Sequence, residues 1–383
     1  MDKQDYIKLL KKYKKKYTPE IINIRNKYFK SAYKFNNKEF VELSTEYKKI
    51  IYQLINEVVI ELKKYYEVDP VILINGSLAR STNTIYSDID INFLTMDDRE
   101  KIILFEDKVN YILKEVLLFR GKDKIHSMVV YIPLVSNNNY EFIKKNKYPI
   151  YFQNGIIYSS CRKNAEQLMY ESYNSTRNIL DVVNYLNNHD NEMELNEWAY
   201  CFEPIVNSKQ LHFFENNRLY YRQKNNIINH IDKAIEKIKI DTNYLNENCI
   251  HLKNSEIKKV YKSSVLFNVY NILAIIYRIN LKVKKFELKD FIKNDNFLKR
   301  DYYDLIIDYL KIIQIFQMIL DIKGIDLSSH SKDYLDLEDI NKEYYLITGS
   351  NNIIRDFNEK KRNIYAASYS NLRRIRRMQN EKR

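Results

Sequence analysis

Helix-breaking and turn-forming residues are scarce in this chain: it has only five glycines and five prolines in 383 residues. So few breakers, set among long periodic stretches, predict a mostly helical protein with little loop. Cysteine is rarer still. Cys161, Cys201 and Cys249 stand far apart, which excludes a short-spaced zinc site and a disulfide framework, and they read as thiols in a reducing compartment. No apolar run reaches the length of a membrane span. The longest, Val265 to Ile276, is interrupted by Asn268, Tyr270 and Asn271. The N-terminal Met1-Asp2-Lys3-Gln4-Asp5-Tyr6 has no apolar signal region. A soluble, cytoplasmic protein without a membrane partner is expected. His189, His212, His230, His251 and His330 lie singly, with no second ligand at metal spacing. No repeat of fixed period is present.

What remains is enough for a large core: 45% of the residues are hydrophobic, and the length predicts two or three domains. The chain carries 34 tyrosines and an excess of lysine, asparagine and isoleucine, which A- and T-rich codons also produce. The net charge of +13 therefore does not by itself imply a nucleic-acid partner.

The most informative stretch runs from Gly76 to Phe93. The apolar run Val71-Ile72-Leu73-Ile74 ends at Gly76-Ser77, and Asp88-Ile89-Asp90-Ile91 opens a second apolar run. The pattern predicts a strand, a glycine turn, a short connection and a strand. Asp88 and Asp90 are two apart, so on a strand both carboxylates share a face. Two like charges held that close call for a cation, and hard oxygen donors suit Mg²⁺ or Mn²⁺. Glycine followed by serine at the preceding strand end offers close backbone approach and a hydroxyl to phosphate.

This ordered combination resembles the nucleotidyltransferase signature of the DNA polymerase β superfamily. Gly76-Ser77-x-x-Arg80 followed by Tyr86-Ser87-Asp88-x-Asp90 is most similar to the bacterial branch that includes the PII uridylyltransferases. The resemblance implies an α+β fold in which a small mixed sheet carries the active site. Asp88 and Asp90 would be the catalytic metal ligands. Gly76, Ser77, Arg80 and Ser87 would hold the triphosphate of an NTP substrate. Many members use a third carboxylate from a later strand. Here that strand, Lys124 to Tyr131, has none. Asp123, Glu141 or the pair His126-Ser127 are the substitutes the sequence offers. The His-Asp domain that serves the reverse reaction in full-length uridylyltransferases is missing.

Three regions are expected on this reading: N-terminal helices over 1–68, a nucleotidyltransferase core over 69–162 and a helical domain over 163–383. Thr18-Pro19-Glu20 reads as a helix start and Asn37 as a cap. Asp97-Asp98 reads as opening a helix to Leu118, and long helices are predicted over Lys163–Leu186, Ser208–Ile238, Asn254–Val283, Asp301–Ile322 and Ser350–Met378. The last ends in a basic tail with Lys360, Lys361, Arg362, Arg373, Arg374, Arg376 and Arg377 among Tyr365 and Tyr369. Such a stretch can bind RNA through phosphate contacts and stacking. The resemblance favours a protein side chain as acceptor and the tail favours an RNA end, with a small molecule as a third choice; the alternative to an enzyme is a catalytically degenerate nucleotide- or RNA-binding sensor. The sequence gives no oligomeric state.

Overall fold

In the computed structural model, residues 3–31, 36–95, 98–118, 125–131, 150–153, 156–159, 203–204, 227–284, 286–325 and 334–381 are described. Asp123, Glu141, Cys161, Cys201 and the helix expected over Lys163–Leu186 lie outside them.

Two long helices, α1 (Lys3–Ser31) and α2 (Asn37–Tyr66), precede the sheet. The start expected at Thr18-Pro19-Glu20 is not one, because α1 runs straight through Pro19. Tyr13, Tyr17, Ile21, Ile24 and Tyr28 form one buried stripe across it. Each large apolar side chain buried is worth about 1.5–3 kcal/mol, so five outweigh a cost of about 3 kcal/mol for an interior proline. The Thr18 hydroxyl caps nothing; it donates to the Val116 carbonyl at 2.9 Å. Helix α2 is capped by Asn36, one residue before the expected Asn37, in a reciprocal capping box with Glu39.

The strands follow: β1 (Val71–Asn75), β2 (Ile89–Thr95) and β3 (Ile125–Tyr131). The four-residue α3 (Gly76–Ala79) begins the turn between the first two. Helix α4 (Arg99–Leu117), capped by Asp98, crosses from β2 to β3. That crossover is what a parallel pair requires: β1 and β2 run antiparallel, β2 and β3 parallel. A hairpin of β4 (Ile150–Gln153) and β5 (Ile156–Ser159) stands apart from this sheet. The two-residue β6 (Glu203–Pro204) completes it on the far side of β1, giving the order β3-β2-β1-β6. The sheet thus draws a strand from beyond residue 162. Ile72, Ile74, Ile89, Ile91 and Phe93 are buried, and Phe93 meets Phe105 of α4 edge-on at 5.9 Å. This period-two pattern leaves the alternate residues of β2, Asp90 and Asn92, on the opposite face.

The remaining described residues are mostly helical: α5 (Ile227–Ile240), α6 (Asn254–Ile279), α7 (Leu288–Asn294), α8 (Arg300–Ile322), α9 (Leu337–Thr348) and α10 (Ile353–Glu381). A short ladder, β7 (His251–Lys253) with β8 (Tyr334–Asp336), ties two connections together. Residues Lys258–Ser263 of α6 form a π-helical turn. Among the described residues α6 alone is long and apolar enough to cross a membrane. Two thirds of its apolar window is buried here, as in a core helix. The basic stretch is no loose tail: α10 packs on α5, α6 and α8 and buries Ile364, Leu372 and Ile375 completely. Overall the protein is α+β and mostly helical.

Candidate functional site

Gly76 is the first residue after β1, and its φ of +66° is a backbone conformation that side chains disfavour. Space is a second constraint. A Cβ on Gly76 would lie 2.0 Å from Oδ2 of Asp90, far inside contact distance. The register explains this, since Asn75 pairs with Asp90 and brings the start of the turn against the carboxylate. Ser77 follows, half-buried, and its carbonyl accepts the Thr82 N–H at 3.0 Å to close the turn.

From Arg80 to Ser87 the connection is unusually well buried for a polar loop: Arg80, Ser81, Thr82, Asn83, Thr84 and Ser87 are each 7% exposed or less. Buried polar groups need partners, and these come from far away in sequence. The Ser44 hydroxyl reaches the Asn83 carbonyl at 3.0 Å. Lys48 donates to the Ala79 carbonyl at 2.7 Å and to Glu287 at 2.8 Å. The Leu288 N–H donates to the Arg80 carbonyl at 3.0 Å. Thr82 pairs with the Tyr270 hydroxyl and Thr84 donates to Gln317, each at 2.9 Å.

Two of the residues expected to hold phosphate belong to this packing. The Arg80 guanidinium lies over the Tyr270 ring, 3.8 Å from its centroid. The Ser87 hydroxyl accepts the Thr84 N–H at 2.9 Å. Both maintain the loop. Sequence reasoning missed the clamp of Ser44, Lys48, Tyr270, Glu287 and Gln317. Ser44 and Lys48 did carry a signal, as polar residues four apart on the otherwise apolar face of α2.

The loop delivers Asp88 to the end of β2 and Asp90 two residues on, both partly exposed. Across the sheet, Asp90 is in register with His126 of β3, and His126 Nδ1 stands 3.2 Å from Asp90 Oδ1. Their side chains are 47% and 32% exposed, so solvent reaches this edge. Gly76, Asp90 and His126 are therefore brought together, with Asp88 and Ser77 beside them. Among the described residues no three His, Cys, Asp or Glu side chains form a closed metal cage. The donor set fits a different kind of site. Mg²⁺ is commonly held by one or two carboxylates, with phosphate and water completing its shell.

A second charged cluster lies in the helical part. The Lys361 ammonium is fully buried and donates to Asp241 at 3.0 Å and to the Asn243 carbonyl at 2.7 Å. Asp241 also takes the hydroxyls of Ser264 and Tyr365. Burial alone would raise its pKa, but the hydrogen bonds from Ser264, Tyr365 and Lys361 prevail and lower it. Nearby His230 is 1% exposed, and Arg278 donates to its Nδ1. Desolvation, helped by Arg278, Lys237 and Lys233, takes its pKa down to about 3.

Comparison with protein-family models finds no match for this chain, and comparison with curated proteins finds none either.

Proposed function

We propose that this protein is a metal-dependent nucleotidyltransferase that moves an NMP from an NTP to an acceptor hydroxyl. The observation that carries the reading is the close approach of Gly76 to the Asp90 carboxylate, with Asp88 and Asp90 both partly exposed where β2 begins. A glycine turn after β1, the acids Asp88 and Asp90 where β2 begins and the mixed order of strands support this reading.

In the reaction the acceptor oxygen forms a bond to the α-phosphorus, the bond to the bridging oxygen breaks, and pyrophosphate leaves. The hydroxyl proton goes to solvent. Gly76 lets the backbone approach the β- and γ-phosphates, and the Ser77 hydroxyl donates to them. Asp88 and Asp90 hold Mg²⁺ or Mn²⁺. Such ions, when bound, lower the pKa of the attacking hydroxyl and steady the leaving pyrophosphate. The buried loop keeps Ser77 and Asp88 in fixed relation, so orientation contributes to rate.

A protein hydroxyl is the acceptor the resemblance favours. One observation supports RNA instead: Lys239 and Arg373 both lie over the Tyr369 ring, with Arg362, Arg374 and Arg377 exposed on the same helix. The test is incubation of each labelled NTP with Mg²⁺ or Mn²⁺ and a cell lysate. Label on protein supports the first acceptor, and label on RNA the second. Nucleotide binding without transfer, or equal labelling by Asp88→Ala and Asp90→Ala, overturns the enzymatic reading.

A further inference from the structure

We infer that His126 is a positioning residue that holds the Asp90 carboxylate in its metal-binding orientation. This rests on the metal-site reading given above. An ionised carboxylate can only accept hydrogen bonds, so in the contact of 3.2 Å the proton lies on His126 Nδ1. Asp90 is thereby fixed from two sides. Oδ1 takes the imidazole N–H, while Oδ2 lies against the space that only glycine leaves open at position 76. Rotation of the carboxylate away from Oδ1 gives up that bond. Any side chain at position 76 would take the place that Oδ2 occupies.

The other face of β3 explains why His126 can do this. Ser127, the next residue, points to the opposite side of the sheet. Its hydroxyl donates to Glu106 at 2.6 Å and accepts from Asn110 at 2.5 Å, both on α4. Helix α4 therefore pins the strand at the residue beside His126. The imidazole occupies the strand position where the resemblance leads one to look for a third carboxylate. A nitrogen donor there orients Asp90 without adding a third carboxylate to the site.

Partners that orient a metal ligand typically alter metal affinity 10–100-fold when removed. The decisive experiment measures Mn²⁺ binding by electron paramagnetic resonance in the presence of a non-hydrolysable ATP analogue. Wild type, Asp90→Ala, His126→Ala and His126→Asn are compared, with thermal melts confirming that each is folded. Asparagine places an N–H near the position of Nδ1. The expected result is about 10–100-fold weaker Mn²⁺ binding for His126→Ala, with His126→Asn restoring affinity to within about threefold of wild type.

Equal affinity for His126→Ala and wild type overturns the inference. So does a failure of asparagine to rescue. Nitrogen hyperfine coupling to Mn²⁺ in wild type also overturns it, since the imidazole would then be a ligand and not a support. If wild type binds no more Mn²⁺ than Asp90→Ala, the metal-site reading itself falls, and this inference with it. That result differs from the others because the wild-type signal is then missing.

Discussion

Two groups of charge in this protein are built on opposite plans. Around Asp241, every donor is aimed inward: a buried lysine and two hydroxyls converge on one carboxylate, and the lysine finds a carbonyl as well. Where β1 ends and β2 begins, Asp88 and Asp90 are both partly exposed, and Asp90 meets a half-exposed imidazole and the backbone at Gly76. A carboxylate surrounded by donors in the interior has nothing left to offer a ligand. Partly exposed carboxylates of this kind can take a cation with water completing its shell. The first group holds the fold together, and the second is where the proposed chemistry would sit.

The comparison breaks if the two sites respond alike to substitution. Asp88→Ala and Asp90→Ala should each lower transfer by about three powers of ten or more, some 4 kcal/mol in the barrier. Their urea unfolding midpoints should stay within about 0.5 kcal/mol of wild type, or rise as repulsion is removed. Lys361→Ala should do the reverse. It leaves Asp241 buried without its cation, at a cost of about 3–5 kcal/mol in chemical denaturation. Whatever molecules remain folded should transfer nucleotide at the normal rate.

Gly76→Ala sharpens the contrast, because it acts on both readouts at once. The strained backbone costs about 1–3 kcal/mol. The added methyl displaces the Asp90 carboxylate, so transfer should fall with it. Retention of full activity would place Asp90 outside the reacting geometry.

A further contrast lies in the dependence of stability on pH. His230 has its folded pKa depressed to about 3 against an ordinary 6.5. The unfolded chain therefore gains a proton there that the native protein refuses, and stability declines from about pH 6.5 down to about pH 3. His230→Gln should flatten this window in thermal melts. Asp241, also depressed, adds stability above the ordinary carboxylate range that is lost as the pH falls through it. Asp241→Asn should flatten that lower part alone.

How far the fold was legible depends on whether the deciding contact is local. The turn at Gly76 and the strands on either side follow from period-two burial and one glycine, and they were readable. The cap of α2 was misplaced by a single residue, since Asn36 and Asn37 carry the same local signal. Thr18-Pro19 failed because tertiary packing outweighs a start signal, and the Thr18 hydroxyl serves α4 instead. The C-terminal helix looked like a tail because its arginines are conspicuous. Ile364, Leu372 and Ile375, spaced for one buried face, were the better guide. The stacking of Arg80 on Tyr270 depends on a helix that no local pattern connects to it. Likewise the meeting of His126 with Asp90 arises only from strand register.

The clamp on the polar loop also sets an order of events during synthesis. Thr84 is tied to Gln317, a partner 233 residues further along the chain. At about 5–20 residues per second, the ribosome adds that partner on the order of ten to fifty seconds after the loop. Over that interval the nascent chain holds its signature residues without their support. The support of this loop is therefore made long after the loop itself.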